Sequence, residues 1–373
     1  MTRFRIIFVV LNVIVAGTAL ILSCGGRGGG SSSGPVLNTF AYVINYGSDT
    51  MSAYMLSPQS GVLVEVSGSP YATSGDPEGL ASTPDGKFLF IVNSLDDNIS
   101  VFSVDADAGQ LSEVPGSPFQ AGPFPMRAAV HPAGKYLYVA NLGTPTVSGY
   151  QVDAASGVLT SLPGFPYTTS YDNLDITVHP DGQFLYLTNH GDDTISAYAI
   201  SVSTGALTSV SGSPFATSEY PFSIAIEPAG HFAYVANWDS ANVTAYAVNT
   251  SSGALSALPG SPYATSQTPR DLVVHPSGDW LYVGTYTNNI NAFSIDAGSG
   301  ALSALPLSPY ASSRWISGVS VDPAGRYLGS TSFQDDGVNL YSIEDGTGAL
   351  AQVPMSPFAS GTEPNGILFV EAP

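Results

Sequence analysis

The chain has 373 residues, of which 10% are charged, against ~25% in ordinary globular domains. Nine Lys and Arg face 29 Asp and Glu, for a net charge of −20, so nucleic acid and anionic lipid headgroups are excluded as partners. The single cysteine excludes a disulfide framework, and stability must come from packing.

In chain order, Arg3 and Arg5 precede an apolar run from Ile6 to Leu22, followed by Ser23 and Cys24. A basic start, an apolar core and a small residue describe an export signal. The segment Ile21-Leu22-Ser23-Cys24 resembles a bacterial lipobox. Residues 1–24 are therefore expected to be a lipoprotein signal peptide with Cys24 as the lipidation site. This places the rest of the chain in the cell envelope, as a periplasmic or outer-surface lipoprotein that meets the membrane only through its lipid. Residues 25–37, rich in Gly and Ser, read as a flexible tether.

From residue 38 the chain repeats. Pro84-Asp85-Gly86-Lys87-Phe88-Leu89-Phe90 returns as Pro132-Ala133-Gly134-Lys135-Tyr136-Leu137-Tyr138, and again from Pro180, Pro228, Pro276 and Pro323, at spacings of 48, 48, 48, 48 and 47. A Ser-Pro pair before an aromatic residue forms a second marker, at Pro70, Pro118, Pro214, Pro262, Pro309 and Pro357, with Phe165-Pro166 at the equivalent place. The third is a small polar residue closing an apolar run: Asn45, Asn93, Asn141, Asn189, Asn237, Thr285 and Ser332. Each unit holds four short β-like runs; in one they are Ala128–His131, Tyr136–Asn141, Val147–Val152 and Val158–Leu162. Seven units of four strands predict an all-β, seven-bladed propeller of antiparallel blades over residues 38–373. The first unit starts at its second strand. The C-terminal Pro364-Asn365-Gly366-Ile367-Leu368-Phe369 aligns with Pro77-Glu78-Gly79-Leu80, and so is expected to complete the first blade and close the ring.

The stretch Arg127-Ala128-Ala129-Val130-His131-Pro132-Ala133-Gly134-Lys135-Tyr136-Leu137-Tyr138-Val139-Ala140-Asn141 resembles the repeat of the propeller lactonase family. That family includes bacterial 6-phosphogluconolactonase and fungal carboxymuconate cyclase, and its repeats are similar to YVTN repeats of surface proteins. The resemblance implies a lactone-handling enzyme that uses Arg, His and Glu near the channel mouth. Arg127 and Arg270 stand where a family Arg would. The place after the strand-closing Asn holds Tyr46, Ser94, Leu142, His190 and Trp238 rather than Glu.

Topology puts the Pro-x-Gly turns at one end of the channel and the remaining loops at the other, where function is expected. His131, His179 and His275 recur before Pro-x-Gly and read as turn organisers; the pairs Asp96-Asp97, Asp192-Asp193 and Asp335-Asp336 read as turn residues, and no metal or cofactor is expected. Candidate catalytic residues are those in which the units differ: Arg127 or Arg270 to stabilise an oxyanion, and Asp175, Asp271 or His190 to handle protons. Charge pairing across the channel is the structural alternative. Glu78, Trp238, Tyr286 and Trp315 are candidate ligand contacts, the aromatic faces suiting a sugar ring or a flat metabolite, with Tyr171 and Tyr220 in nearby connections. The function expected is hydrolysis of a neutral lactone or sugar derivative by a monomer. The alternative is a non-catalytic propeller that binds a carbohydrate or an envelope protein.

Overall fold

The second strand of each repeat is buried on both faces, and in all but the last (Tyr327–Ser332) largely apolar, because each blade is packed between two others. In the computed structural model, which describes residues 38–169 and 172–372, alternate residues of that strand enter different interfaces. Tyr136, Tyr138 and Ala140 of one blade join Leu185 and Leu187 of the next. Leu137 and Val139, between them in sequence, join Phe90 and Val92 of the blade before. Seven such apolar clusters fill the seven interfaces. Cys24, the signal segment, the tether and Tyr171 lie outside the described residues.

Blades are numbered I to VII from the N-terminus, and their first, innermost strands are Pro364–Glu371 (I), Pro77–Ser82 (II), Pro125–Val130 (III), Asn173–Val178 (IV), Pro221–Ile226 (V), Pro269–Val274 (VI) and Ile316–Val321 (VII). All ladders are antiparallel, in simple up-and-down order. Blade I is built as the repeat alignment predicts: Thr39–Asn45 pairs with Thr50–Leu56 on one side and with Pro364–Glu371 on the other. Each inner strand lies against the inner strands of both neighbours, and blade I meets blade II, so the ring is closed.

Two details depart from the sequence reading. The fourth strand is split into two short pieces that both pair with the third, as in Leu159–Ser161 and Tyr167–Thr168. The break falls at the Ser-Pro marker, whose peptide bond is cis. The freed amide of the third strand is not orphaned, because the marker serine accepts from it: Ala53 N donates to Ser69 Oγ at 3.1 Å, and Ala245 N to Ser261 Oγ at 2.8 Å. In blade III, Phe165 replaces that serine, and its ring occupies the space above Gly149, where an added Cβ would come within 2.5 Å of it.

The second departure concerns the inner strand, which begins at Pro125 rather than Ala128 in blade III and carries a β-bulge near its start in every blade. An extra residue there blurs the alternation that sequence reading relies on. Bulges also re-aim side chains at sheet edges and rims.

Candidate active site at the channel mouth

The bulge position is filled by Glu78, Met126, Leu174, Phe222, Arg270, Ser317 and Asn365, and the next by Gly79, Arg127, Asp175, Ser223, Asp271, Gly318 and Gly366. Blades III to VI thus supply charged and hydroxyl groups at the second position, and blades VII, I and II supply glycines. Two of the glycines are required by close approach: a Cβ on Gly318 would meet Gly366 Cα at 2.9 Å, and one on Gly79 would meet the Met126 carbonyl oxygen at 2.6 Å. One side of the channel is therefore backbone and the other chemistry.

Between them lies a cavity of about 250 Å³ lined by Glu78, Arg127, Asp175, Asp271 and Asn365. Asp175 accepts from Ser223 Oγ at 3.0 Å and from the amides of Ile224 and Ile176, both at 2.9 Å. Asp271 Oδ1 lies 3.1 Å from the same Ser223 Oγ, and Asp271 accepts from Leu272 N at 3.0 Å and from Val319 N at 2.8 Å. Burial pushes Asp175 up to about 6 from its ordinary 3.8, against the pull of Arg127 in the other direction. Asp271 is raised by burial too, with Arg127 again opposing. Arg127 itself donates no hydrogen bond and forms no direct ion pair among the described residues, although it faces both carboxyls.

Arg270 is held differently. Its Nη2 donates to Asn365 Oδ1 at 2.9 Å, and Asn365 Nδ2 donates to Glu78 Oε2 at 2.6 Å, which joins blades VI, I and II. The guanidinium lies over the rings of Phe222 and Tyr286, 5.1 and 5.5 Å from their centroids. Burial lowers its pKa, and Glu78 is the main opposing influence. Arg270 therefore organises the rim, while Arg127 is the cation left available in the cavity.

The aromatic candidates form one arc. Contacts run from His190 to Tyr220, Phe222, Trp238, Tyr286, Trp315, Phe333 and Tyr46, with centroids 4.4 to 6.4 Å apart. It spans blades IV to VII and I and is open where Ser94 and Leu142 occupy the equivalent places in blades II and III. Tyr220 and Trp315 sit just before the inner strands at φ 58° and 54°, where bulky residues are uncommon. The same position has positive φ in all seven blades, and its carbonyl accepts from the residue after the second strand, as from Trp238 N to Tyr220 O at 2.8 Å. This pairing forces the two sets of rings together.

His190 lies on this arc, not in the cavity: its Nδ1 donates to the Asp172 carbonyl at 2.8 Å, and its ring packs against Tyr220. The cavity instead unites Glu78, Arg127, Asp175 and Asp271. Ser223 and Asn365 complete the networks. In the sequence, Ser223 falls in the right ring without a role, and Asn365 aligns with Glu78 only as a sign of closure. The acidic turn residues serve backbone amides, as when Asp97 Oδ1 accepts from Phe124 N at 2.7 Å and Asp193 Oδ1 from Tyr220 N at 2.8 Å.

No curated protein matches the sequence. Among solved structures, a Bacteroides fragilis protein provisionally named a 6-phosphogluconolactonase is similar, with 20% identity, a TM-score of 0.78, and coverage of 91% of this chain and 100% of that one. The periplasmic gluconolactonase of Pseudomonas aeruginosa is 19% identical with a TM-score of 0.76, over 90% of this chain and 99% of that one. Hydrazine synthase of Kuenenia stuttgartiensis also matches, at 21% identity and a TM-score of 0.57, over 83% and 92% of the two chains. Such likenesses establish the ring and leave its chemistry to the site. The family model of the seven-bladed β-propeller lactonases matches residues 36–123 and 127–266, and the chain belongs to that family.

Proposed function

We propose that the chain hydrolyses a neutral lactone in the cavity at the loop-rich end of the channel. The observation that carries this reading is Arg127, a cation facing two raised carboxyls with no hydrogen bond of its own among the described residues. Its guanidinium is free to polarise the lactone carbonyl and to hold the oxyanion formed when water adds, then the carboxylate of the product. Asp175 and Asp271 supply the base that takes a proton from water and the acid that returns one to the ring oxygen as the carbon–oxygen bond breaks. Glu78 and the two aspartates offset the positive charge of Arg127 and Arg270, which favours a neutral substrate over a phosphorylated one.

The test is hydrolysis by the purified chain of a panel of neutral and phosphorylated sugar lactones, followed by pH-stat. Turnover of a neutral lactone that is lost in Arg127→Ala supports the reading; no turnover across the panel overturns it. The aromatic arc favours a second reading, a binding module for a sugar-containing ligand, since ring faces beside polar groups suit pyranose stacking. Saturable binding of a glycan without hydrolysis would select it. Export and lipidation at Cys24 are part of the same proposal and rest on the sequence from Arg3 to Cys24. Labelled fatty acid incorporated by the wild-type chain but not by Cys24→Ser would support them.

A further inference from the structure

We infer that Ser223 joins Asp175 and Asp271 into one acid–base unit that shares a single proton. Serine Oγ carries one hydrogen, yet it lies 3.0 Å from Asp175 Oδ2 and 3.1 Å from Asp271 Oδ1. If both carboxyls were ionised, that hydrogen could serve only one, and the other oxygen would face the serine lone pairs. Both contacts are satisfied when one carboxyl is protonated and donates to Oγ while Oγ–H donates to the other. The backbone reinforces this by leaving each aspartate one lightly used oxygen. Among the described residues, Asp175 Oδ1 accepts only from Ile176 N, and Asp271 Oδ2 only from Val319 N, so each retains a lone pair for a reactant. The other charged groups around the pair are Arg127 from blade III and Arg270 from blade VI, with Glu78 from blade II lining the same cavity. Blades VII and I contribute no charged side chain at the two bulge positions, which hold Ser317 and Gly318, and Asn365 and Gly366.

The proton sharing stands on geometry alone; its use in catalysis rests on the lactonase reading. In that use the ionised aspartate takes a proton from water as its oxygen bonds to the lactone carbon. The protonated partner gives its proton to the ring oxygen as the carbon–oxygen bond breaks. The pair ends with one proton, as it began, but on the opposite carboxyl. Transfer through Ser223 Oγ then restores the starting arrangement. No further acid or base is consumed, and the new carboxylic acid releases its proton to solvent.

Ser223 acts here as a positioning residue with a signature that a purely structural role lacks. Its bridge stabilises the singly protonated pair relative to both the doubly ionised and the doubly protonated forms, so it must hold the two titration steps apart. The experiment is a pH titration by NMR of the full chain carrying carboxyl-labelled aspartate, with the two signals assigned through Asp175→Asn and Asp271→Asn. Two coupled steps are expected in the wild type. In Ser223→Ala their separation should shrink by about one pH unit or more, the threshold for strong coupling, and Ser223→Thr should restore it. An unchanged separation in Ser223→Ala, or coincident titration of the two aspartates in the wild type, overturns the inference. If Ser223→Ala fails to fold, Ser223→Gly supplies the same comparison, and coincident titration in the wild type still overturns the inference. A separation that shrinks in Ser223→Ala, in a chain that hydrolyses no lactone, would leave the shared proton standing and remove only its catalytic use.

Discussion

The two ends of the channel are built from the same repeat and turn out opposite in character. At the Pro-x-Gly end, the residue before the proline clips blades II to VII each to its own turn or to the next blade. His131, His179 and His275 donate through Nε2 to the carbonyls of Gly182, Gly230 and Gly325 in the following blade, at 3.0, 2.8 and 2.8 Å. Gly230 has φ 80°, and a Cβ there would meet the His179 ring at 2.5 Å, so histidine and glycine are fitted as a pair. Where Glu227 and Asp322 take the histidine's place, their carboxylates accept amides of their own turn instead. At the mouth, the bulge positions hold seven different residues and make contacts no other blade repeats. Regularity marks the end that holds the ring together, and divergence marks the end where chemistry collects.

That contrast can be broken most directly with Arg127→Ala. Under the proposed function it should lower turnover about 100- to 1,000-fold, as expected for loss of an oxyanion donor. Lys135→Ala, on a Pro-x-Gly turn of the same blade, should leave turnover unchanged. Equal losses would mean that both ends act through stability alone.

The converse variant is His179→Ala, which removes a buried side chain and leaves the Gly230 carbonyl unpartnered. A cost of about 2–4 kcal/mol in urea unfolding is expected, with turnover per folded molecule retained. Lost turnover in a fully folded variant would show that the two ends are coupled.

A third measurement is the pH dependence of stability. The folded chain holds the Asp175 proton more tightly than the unfolded chain, because burial raises the group from 3.8 to about 6. Its contribution is therefore present below 3.8 and is lost as pH rises through about 6. Asp175→Asn should remove that slope, on the order of 1–3 kcal/mol between acid and neutral pH. Asp181→Asn, at the other end of blade IV, should leave it in place. An unchanged slope in Asp175→Asn would sink the idea of a raised carboxyl at the mouth.

The smallest effect sharpens the comparison within the mouth itself. Trp315→Gly relieves a bulky residue at positive φ while removing the Tyr286 stacking partner at 4.7 Å. Stability should change by about 1 kcal/mol or less. If the arc contacts ligand, KM or the dissociation constant should rise while kcat holds. No change in either would assign the arc to loop packing.

Much of this molecule was determined by sequence alone. Period, blade number, ring closure and the turn-organising role of the histidines all follow from residues that recur, because each recurrence reports a packing or turn requirement shared by every blade. Arg127, Asp175, Asp271 and Glu78 could be chosen by the same logic in reverse, as departures from the repeat. What only the tertiary structure decided is which departures meet. The bulge adds one residue to each inner strand and so changes which side chains share a level of the channel, a shift that strand alternation cannot reveal. Residues 48 apart, Asp175, Ser223 and Asp271, then fall within hydrogen-bond reach, while His190 is drawn aside to the Asp172 carbonyl. Closure brings Asn365 between Arg270 and Glu78, 287 residues from the latter. Such pairings depend on the curvature of the whole ring, and no local stretch of the chain contains it.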